Sequence, residues 1–357
     1  MKFSVIAPHE LGRNDCYTWL SLVRDNLSLA SPYFRPEFTA AAGRARSDAR
    51  VCVLEDGARV VGYFPFQRGT LGAGRPIGGP LSDYQAVIAA NDACFDVDEL
   101  LKGSGLAYWE FDHLIASQAL FRKHHRAYAA SAFIDLSNGF EAYLSARRRS
   151  GSALFVQLER KARKLAREVG SVAFVTDCFD ANVLEQVFTW KSEQCLRTGA
   201  PDYFAFSWTR ELVERIFAAH EPHFSGILSA LYAGDRLVAA HMGMRSERVL
   251  HWWFPVYDRD FARYSPGAIL LLRLAQSAGT LGMAGVDLGK GADAYKGSFA
   301  SSAIQLAVGR AARRSFSAAL RQLRDDTENV LRHSPWTAPI RPLLRSVNAR
   351  LRRRGYA

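Results

Sequence analysis

Two short segments of this chain share the pattern of a strand, a tight turn containing glycine, and a second strand. The first is LEDGARVVGYF at 54–64 and the second is LYAGDRLVAAH at 231–241. Aligned without gaps, they place Gly57 opposite Gly234. Glycine suits the positive φ angles of a tight hairpin turn, so each segment predicts a β-hairpin. The repetition, in a chain of 357 residues, predicts two related halves built from helices and strands.

The order of the elements predicts an α/β (α+β) fold with two tandem domains. Each domain is expected to have a mixed, mostly antiparallel sheet flanked by helices. We place the N-terminal half at residues 1–145, the C-terminal half at 146–310 and a basic helical tail at 311–357. The second half should open with a long basic helix over about 148–169, which Gly170 ends.

The net charge of +11 is concentrated at the end of the chain. Residues 310–357 contain twelve Arg, no Lys and three acidic residues, so they carry +9 and leave +2 for the rest. Two amphipathic helices, at 314–334 and 338–354, are expected there, and they predict binding to an anionic membrane surface or to a partner protein. A solvated, partly disordered tail is the alternative. Nucleic acid is not expected, because the tail lacks a recognised reading motif.

The composition also bears on the cellular compartment of the protein and on whether it binds a metal ion. There is no run of about twenty apolar residues, and the N-terminus has no apolar signal core, which predicts a cytoplasmic protein. Because of the basic tail, we also expect the protein to bind peripherally at the inner face of the membrane. The five cysteines are scattered without a C-x-x-C pair, which favours free thiols. No histidine has metal-ligand spacing, so no metal is expected.

A long apolar helix in the second half begins with the trio Ser-Pro-Gly at 265–267. Serine is a good N-cap, proline suits the first helical position, and the small residues that follow leave room for a ligand. The first turn of a helix offers unpaired N–H groups and the positive end of the helix dipole, which suit an anion. A simple helix cap is the alternative. The residues expected around the anion are Arg263, Ser265, Pro266, Gly267, Ala268 and Ile269.

The order β-hairpin, strand, R-Y-S-P-G-A, helix and G-V-D-L-G-K-G-A-D-A-Y-K resembles the GNAT acyltransferase superfamily. More specifically, it resembles the FemAB-related branch of bacterial CelD/BcsL-type acetyltransferases. GGPLSDYQ, ERKARKLAREVG and WKSEQCLRTG also match, and the resemblance covers about 30–310. In the superfamily an (Arg/Gln)-x-x-Gly-x-(Gly/Ala) loop cradles the coenzyme A pyrophosphate. Arg263, Gly267 and Ala268 are similar to that loop, whereas Pro266 stands where the first Gly would be.

The resemblance implies an acyl-CoA-dependent N- or O-acyltransferase with acetyl-CoA as co-substrate and no metal. The acceptor would be a small molecule, a glycan or an amine in cellulose, exopolysaccharide or cell-envelope biosynthesis. The pyrophosphate would lie on the N–H groups of Gly267, Ala268 and Ile269, and the preceding strand would splay from its neighbour to hold the pantetheine arm.

Acyl transfer to an amine needs a base and an acid for the leaving thiolate. His241 is the first candidate for the base, because its imidazole titrates near neutrality; a hydrogen-bonded core histidine is the alternative. Asp287 ends an apolar strand, so it is either functional or paired with Lys290 or Lys296. The resemblance implies that Tyr295 protonates the thiolate. Lys296 either orients the substrate or pairs with Asp287.

In the first half, Ser82, Asp83 and Tyr84 follow a Gly-Gly-Pro turn and are expected to line an acceptor cleft between the halves. A turn cap made by Ser82 or Asp83 is the alternative. Two other functions stay open. One is a FemAB-type aminoacyl-tRNA-dependent transferase, and the other is a non-catalytic accessory protein that its tail tethers to the membrane near a polysaccharide synthase.

Overall fold

The computed structural model describes residues 1–291 and 293–313. The helices expected in the tail, at 314–334 and 338–354, lie outside the described residues, and positions 311 and 312 are the end of the last strand. None of the described helices combines the length and the apolar character needed to cross a bilayer.

The elements of the first half are β1 (Lys2–Ile6), α1 (Arg13–Arg24), α2 (Pro36–Ala45), β2 (Ala49–Asp56), β3 (Arg59–Arg68), β4 (Ala73–Pro76), β5 (Ile88–Ala89), α3 (Val97–Gly103), β6 (Tyr108–Ile115) and β7 (His125–Asp135). Those that follow are α4 (Phe140–Arg149), α5 (Leu154–Glu168), β8 (Val172–Val175), α6 (Ala181–Thr198), α7 (Ser207–Phe217), β9 (His220–Glu221), β10 (Phe224–Ala233), β11 (Arg236–Ser246), β12 (Val249–Tyr257), α8 (Pro266–Thr280), β13 (Gly285–Lys290), α9 (Ala294–Phe299) and β14 (Ser302–Ala312).

The strands form one mixed sheet in which most neighbours are antiparallel. Its order is β1-β2-β3-β4-β6-β14-β7-β13-β12-β11-β10-β8, and β5 and β9 pair outside this path with β3 and β10. The pairs β4–β6 and β12–β13 are parallel. The α/β architecture with a mostly antiparallel sheet flanked by helices is therefore confirmed.

The two halves exchange a strand at the centre of the sheet. β14, the last strand of the second half, lies between β6 and β7 of the first half. β7 in turn pairs with β13 of the second half. Each half of the sheet is thus completed by a strand from the other half of the sequence.

The two predicted hairpins are confirmed and are alike in detail. β2–β3 turns at Gly57 with φ 60°, and β10–β11 turns at Gly234 with φ 58°. In both hairpins the register shifts at the same aligned position, after Leu54 in the first and after Leu231 in the second. A bulge bends a strand locally, so the two hairpins are expected to share a bend as well as a turn.

Helices cover both faces of the sheet. Buried side chains of α1, α2, α6 and α7 form one core cluster, and those of α4, α5, α8 and α9 form another. α8 buries its apolar residues and leaves its polar residues partly or fully exposed, namely Arg273, Gln276, Ser277 and Thr280. The single basic helix expected over 148–169 is instead two helices, α4 and α5, because the chain turns at Gly151 with φ 81°.

Candidate active site

Neighbouring strands β12 and β13 pair only over their first residues. Their pairing ends where His251 lies opposite Asp287. Beyond that point β12 continues to Tyr257 and β13 to Lys290 without further pairing between them in the described part of the chain. The strands diverge there and leave a slot whose backbone polar groups can bind an extended ligand.

A cavity of about 380 Å³ occupies this slot and reaches the first turn of α8. Its volume falls in the range of small-molecule sites. The lining combines aromatic residues, small residues and two lysines, and consists of Lys191, Gln194, Trp252, Trp253, Pro255, Val256, Tyr257, Ala262, Ser265, Pro266, Gly267, Ala268, Leu288, Asp293, Tyr295 and Lys296.

Ser265 turns the chain into α8 in a left-handed conformation, with φ 57° and ψ 52°. The expected side-chain cap does not form, because the Ser265 hydroxyl instead accepts a hydrogen bond from Lys161 Nζ at 2.7 Å. A non-glycine residue in this region carries about 1–2 kcal/mol of strain, and such strain clusters at ligand sites. Lys161 therefore brings a positive charge to the rim of the cavity.

The first turn of α8 offers fewer amides than expected. The amides of Ala268 and Ile269 both donate to the Ser265 carbonyl at 3.1 Å, and Pro266 has no N–H. The Gly267 amide forms no hydrogen bond among the described residues. The set of three anion-binding amides is therefore corrected to Gly267 alone, and the Ile269 side chain lies in the core.

Arg263 does not line the cavity. Its guanidinium lies 3.4 Å from Glu168 and stacks on the Tyr264 ring at 4.7 Å. The expectation that Arg263 contacts the anion thus does not fit this arrangement, in which Lys161 is the cation bonded to Ser265.

His241 is a core residue. Its side chain is fully buried, its ring stacks on Trp252 at 4.2 Å, and its Nε2 accepts a hydrogen bond from the Trp253 amide at 3.2 Å. Burial lowers its pKa to about 3. A group with this pKa and no place on the cavity wall is a poor base at neutral pH. The interpretation of His241 as the base is therefore replaced by its alternative, a core histidine.

Asp287 is fully buried beside the point of divergence. Its Oδ1 accepts hydrogen bonds from Ser131 Oγ at 2.6 Å and from the Gly289 amide at 2.7 Å. The expected pairing with Lys290 or Lys296 does not form: Lys290 Nζ donates to a main-chain carbonyl at 2.8 Å, and so does Lys296 Nζ at 3.0 Å.

Sequence reasoning missed the role of His251, which brings Asp83 and Asp287 together. His251 Nε2 lies 3.0 Å from Asp83 Oδ2, and its Nδ1 lies 3.7 Å from Asp287 Oδ1. Both His251 and Asp287 are fully buried, whereas 27% of the Asp83 side chain is exposed. Burial raises the pKa of Asp83, but the hydrogen bond that the carboxylate accepts from His251 lowers it, and the net result is a pKa below the usual value. The pairing of Asp83 with a histidine was not visible in the sequence, because the two residues are 168 positions apart.

The other two residues of the predicted acceptor cleft are buried. Ser82 Oγ donates to the Tyr84 carbonyl at 3.0 Å, which is the turn cap given as its alternative. The Tyr84 side chain is 2% exposed, and burial, with Asp287 nearby, raises its pKa well above the usual value. Neither Ser82 nor Tyr84 lines the cavity between the strands.

Tyr295 and Lys296 line the cavity at the start of α9. Partial burial raises the pKa of Tyr295 to about 12, so its phenol keeps its proton at neutral pH. Lys296 is 8% exposed, and its Nζ lies 3.4 Å from Asp293 Oδ2.

Lys191 on α6 is a second residue that sequence reasoning missed. It lines the cavity opposite β12, and its Nζ donates to Gln194 Oε1 at 3.1 Å. Burial lowers its pKa, which enlarges the neutral fraction that can accept a proton. A lysine within an amphipathic helix gives no sequence signal of this kind. Among the described residues no cluster of His, Cys, Asp or Glu is suited to a metal ion.

Comparison with known proteins shows what the part of the chain around this site resembles. Residues 146–297 match the family model described as an acetyltransferase (GNAT) domain. The C-terminal domain of a putative lysylphosphatidylglycerol synthetase from Agrobacterium fabrum aligns over 88% of this chain and 97% of its own, with 14% identity and a TM-score of 0.51. FemX aligns over 87% of this chain and 96% of its own, with 9% identity and a TM-score of 0.56.

A tandem GNAT protein from the clavulanic acid biosynthesis pathway aligns over 87% of this chain and 98% of its own, with 11% identity and a TM-score of 0.49. A search of curated protein sequences gave no match. At such identities the likeness to the synthetase domain and to FemX shows the fold alone. The family match relates residues 146–297 to the GNAT superfamily and does not extend to the CelD/BcsL type. The chain therefore has a GNAT-like fold, and residues 146–297 are similar to GNAT acetyltransferase domains.

Proposed function

We propose that this protein is an acyl-CoA-dependent N- or O-acyltransferase and that the cavity between β12 and β13 is its coenzyme site. The observation that carries the proposal is the divergence of these strands after His251 and Asp287, directly towards the first turn of α8. The whole arrangement lies within the residues that match the GNAT domain.

The residues around α8 fit a diphosphate. The free Gly267 amide and the helix dipole favour an anion, and Lys161 adds a positive charge beside Ser265. A Cβ atom on Gly267 would lie 3.4 Å from the Tyr257 ring, so the position is open towards the cavity. The bound acyl-CoA supplies an activated thioester, and the unpaired edges of β12 and β13 would hold its pantetheine arm.

Four side chains are proposed to handle protons and the acceptor. Neutral Lys191 takes the proton that the acceptor amine or hydroxyl loses as the new acyl bond forms. Tyr295 gives its proton to the sulfur atom when the carbon–sulfur bond breaks. Asp83, held by His251, orients the acceptor from the first half, and Lys296 holds it from α9.

The class of acceptor, the pathway and the role of the tail are proposed from the sequence resemblance. We place the acceptor, a glycan or an amine, in exopolysaccharide or cell-envelope biosynthesis. We also assign to the basic tail the binding of an anionic membrane surface or a synthase.

Calorimetry with acetyl-CoA and longer acyl-CoAs tests the coenzyme site. The protein and its Gly267→Ala variant should bind, because a methyl group makes only ordinary contact with Tyr257. Gly267→Glu should abolish binding, since it puts bulk and negative charge where the diphosphate lies. Absence of binding by the unmodified protein at millimolar ligand, or equal binding by Gly267→Glu, would overturn the proposal.

A further inference from the structure

The exposed side of α5 carries a row of arginines, here called the α5 face. It consists of Val156, Arg160, Arg163 and Arg167, which are all exposed. Residues four, seven and eleven positions after Val156 return to the same side of a helix, so the four side chains form one row. The row is about 16 Å long, because each residue adds about 1.5 Å to a helix.

The opposite side of α5 is fixed in the core. Phe155, Leu158, Ala162 and Leu165 are buried in the cluster that also contains residues of α4 and α8. The apolar side of this helix is therefore already used in folding. A partner of the α5 face has to be recognised mainly by charge.

The protein does not neutralise the charge of the α5 face. The side chains of its three arginines make no ion pair or hydrogen bond within the described part of the chain. Both acidic residues of α5 have other partners. Glu159 lies 2.9 Å from Arg273, and Glu168 accepts a hydrogen bond from Tyr264 at 2.6 Å. The arginines are therefore available to an anionic partner.

The end of α4 adds to this charge. Arg148 and Arg149, in its last turn, are exposed and have no side-chain partner among the described residues. Residues 147–168 contain eight basic and two acidic residues. A basic cluster of this size is typical of surfaces that bind anionic lipid head groups.

Two features favour a membrane over nucleic acid. None of the exposed side chains of α4 and α5 is aromatic, so the surface offers no ring on which a base could stack. Val156, which is 61% exposed, can instead enter the interfacial layer of a bilayer. We propose that the α5 face, together with Arg148 and Arg149, binds the surface of an anionic lipid membrane.

This surface is separate from the basic tail and does not depend on acyl transfer. Lys161 follows Arg160 on the flank of the same helix and donates to Ser265 at the rim of the cavity between β12 and β13. A membrane bound to the α5 face would therefore lie beside that cavity.

Co-sedimentation of the full chain with lipid vesicles tests the α5 face. The protein should bind vesicles of equal parts phosphatidylglycerol and phosphatidylcholine and should not bind vesicles of phosphatidylcholine alone. The triple variant Arg160→Gln, Arg163→Gln, Arg167→Gln should bind the mixed vesicles about 100-fold more weakly, because each arginine near an anionic surface contributes about fivefold. It should keep the thermal stability of the unmodified protein, since these side chains are exposed and unpaired.

The matched control is the triple variant Arg13→Gln, Arg75→Gln, Arg197→Gln, which removes the same charge from exposed positions outside α4 and α5. It should weaken binding by less than about threefold, because salt screens charges that lie away from the contact. Equal binding by the two variants, or no binding of the unmodified protein to the mixed vesicles, would overturn the proposal. So would a loss of binding to bulk transfer RNA in the α5 variant with unchanged vesicle binding, which would assign the surface to nucleic acid.

Discussion

His251 Nε2, on β12, lies 3.0 Å from Asp83 Oδ2 in the first half of the chain. The contact joins the halves at the point where β12 and β13 begin to diverge. It holds Oδ2 of Asp83, while Oδ1 of the partly exposed carboxylate lies 3.6 Å from His113 Nε2. A displacement of one half relative to the other would therefore move Asp83 relative to any bound ligand.

Replacing His251 should destabilise the protein strongly. His251→Ala removes the partner of Asp83 and leaves the buried Asp287 with less compensation, so we expect a loss of about 3 kcal/mol in the free energy of unfolding. Urea denaturation at pH 7 measures this. His9→Ala, at an exposed position, should change it by less than about 0.5 kcal/mol. A similarly small change in His251→Ala would contradict the inferred role of the contact.

His241 should make stability depend on pH. Its pKa is about 3 in the folded protein and about 6.5 in the unfolded chain, so between these values only the unfolded state binds the proton. This contribution to stability is complete above about pH 6.5 and declines as the pH falls towards 3, by about 1.4 kcal/mol per pH unit at most.

His241→Gln cannot bind that proton, so it isolates the contribution. Urea denaturation at pH 6 and pH 5 should show that the unmodified protein loses about 1 kcal/mol more than the variant over this interval. Equal losses in the two proteins would mean that His241 titrates normally in the folded state.

Local patterns in the sequence predicted local structure well. The Gly57 and Gly234 hairpins and the apolar helix after Pro266 all form, because turn chemistry and helical periodicity act over a few residues. The amides at the start of α8 were predicted less well. The left-handed Ser265 directs its carbonyl to two of them, and backbone angles of a serine cannot be deduced from its identity.

Contacts between segments that are far apart in the chain could not be predicted from the sequence pattern. A strand such as β14 has the same alternation whichever neighbour it pairs with, so its place between β6 and β7 gave no signal. The meeting of Asp83 and His251 depends on that same long-range arrangement. His241 was mistaken for a base because an imidazole on an apolar strand looks the same in sequence whether it faces a ligand or a core.

The exchanged strands should make the halves interdependent. A fragment of residues 146–313 lacks β7, so one edge of β13 would be unpaired, and its own β14 would lose both neighbours. Unpaired edges promote aggregation, and we expect this fragment to show no cooperative urea unfolding by circular dichroism.

Co-expression with residues 1–145 supplies β6 and β7 and should restore a soluble complex of both pieces. The control is a single chain of residues 1–313, which should unfold cooperatively. A stable, monomeric 146–313 fragment with a sharp transition would show that the strand exchange is not needed for folding.

The proposed function makes a prediction for Lys191. With an acceptor found by screening amines and hydroxyl compounds against acetyl-CoA, Lys191→Gln should lower kcat about 100-fold, which is within the usual contribution of a general base. Binding of acetyl-CoA should be unchanged by calorimetry. In the unmodified protein kcat should rise with pH through the Lys191 pKa, which burial lowers, and the variant should lack this rise.

Lys164→Gln, on the exposed face of α5, is the matched control, and it should keep both the kcat and the acetyl-CoA binding of the unmodified protein. A pH profile that survives in Lys191→Gln would exclude this lysine as the base, whereas a loss of acetyl-CoA binding would assign it to the coenzyme site instead.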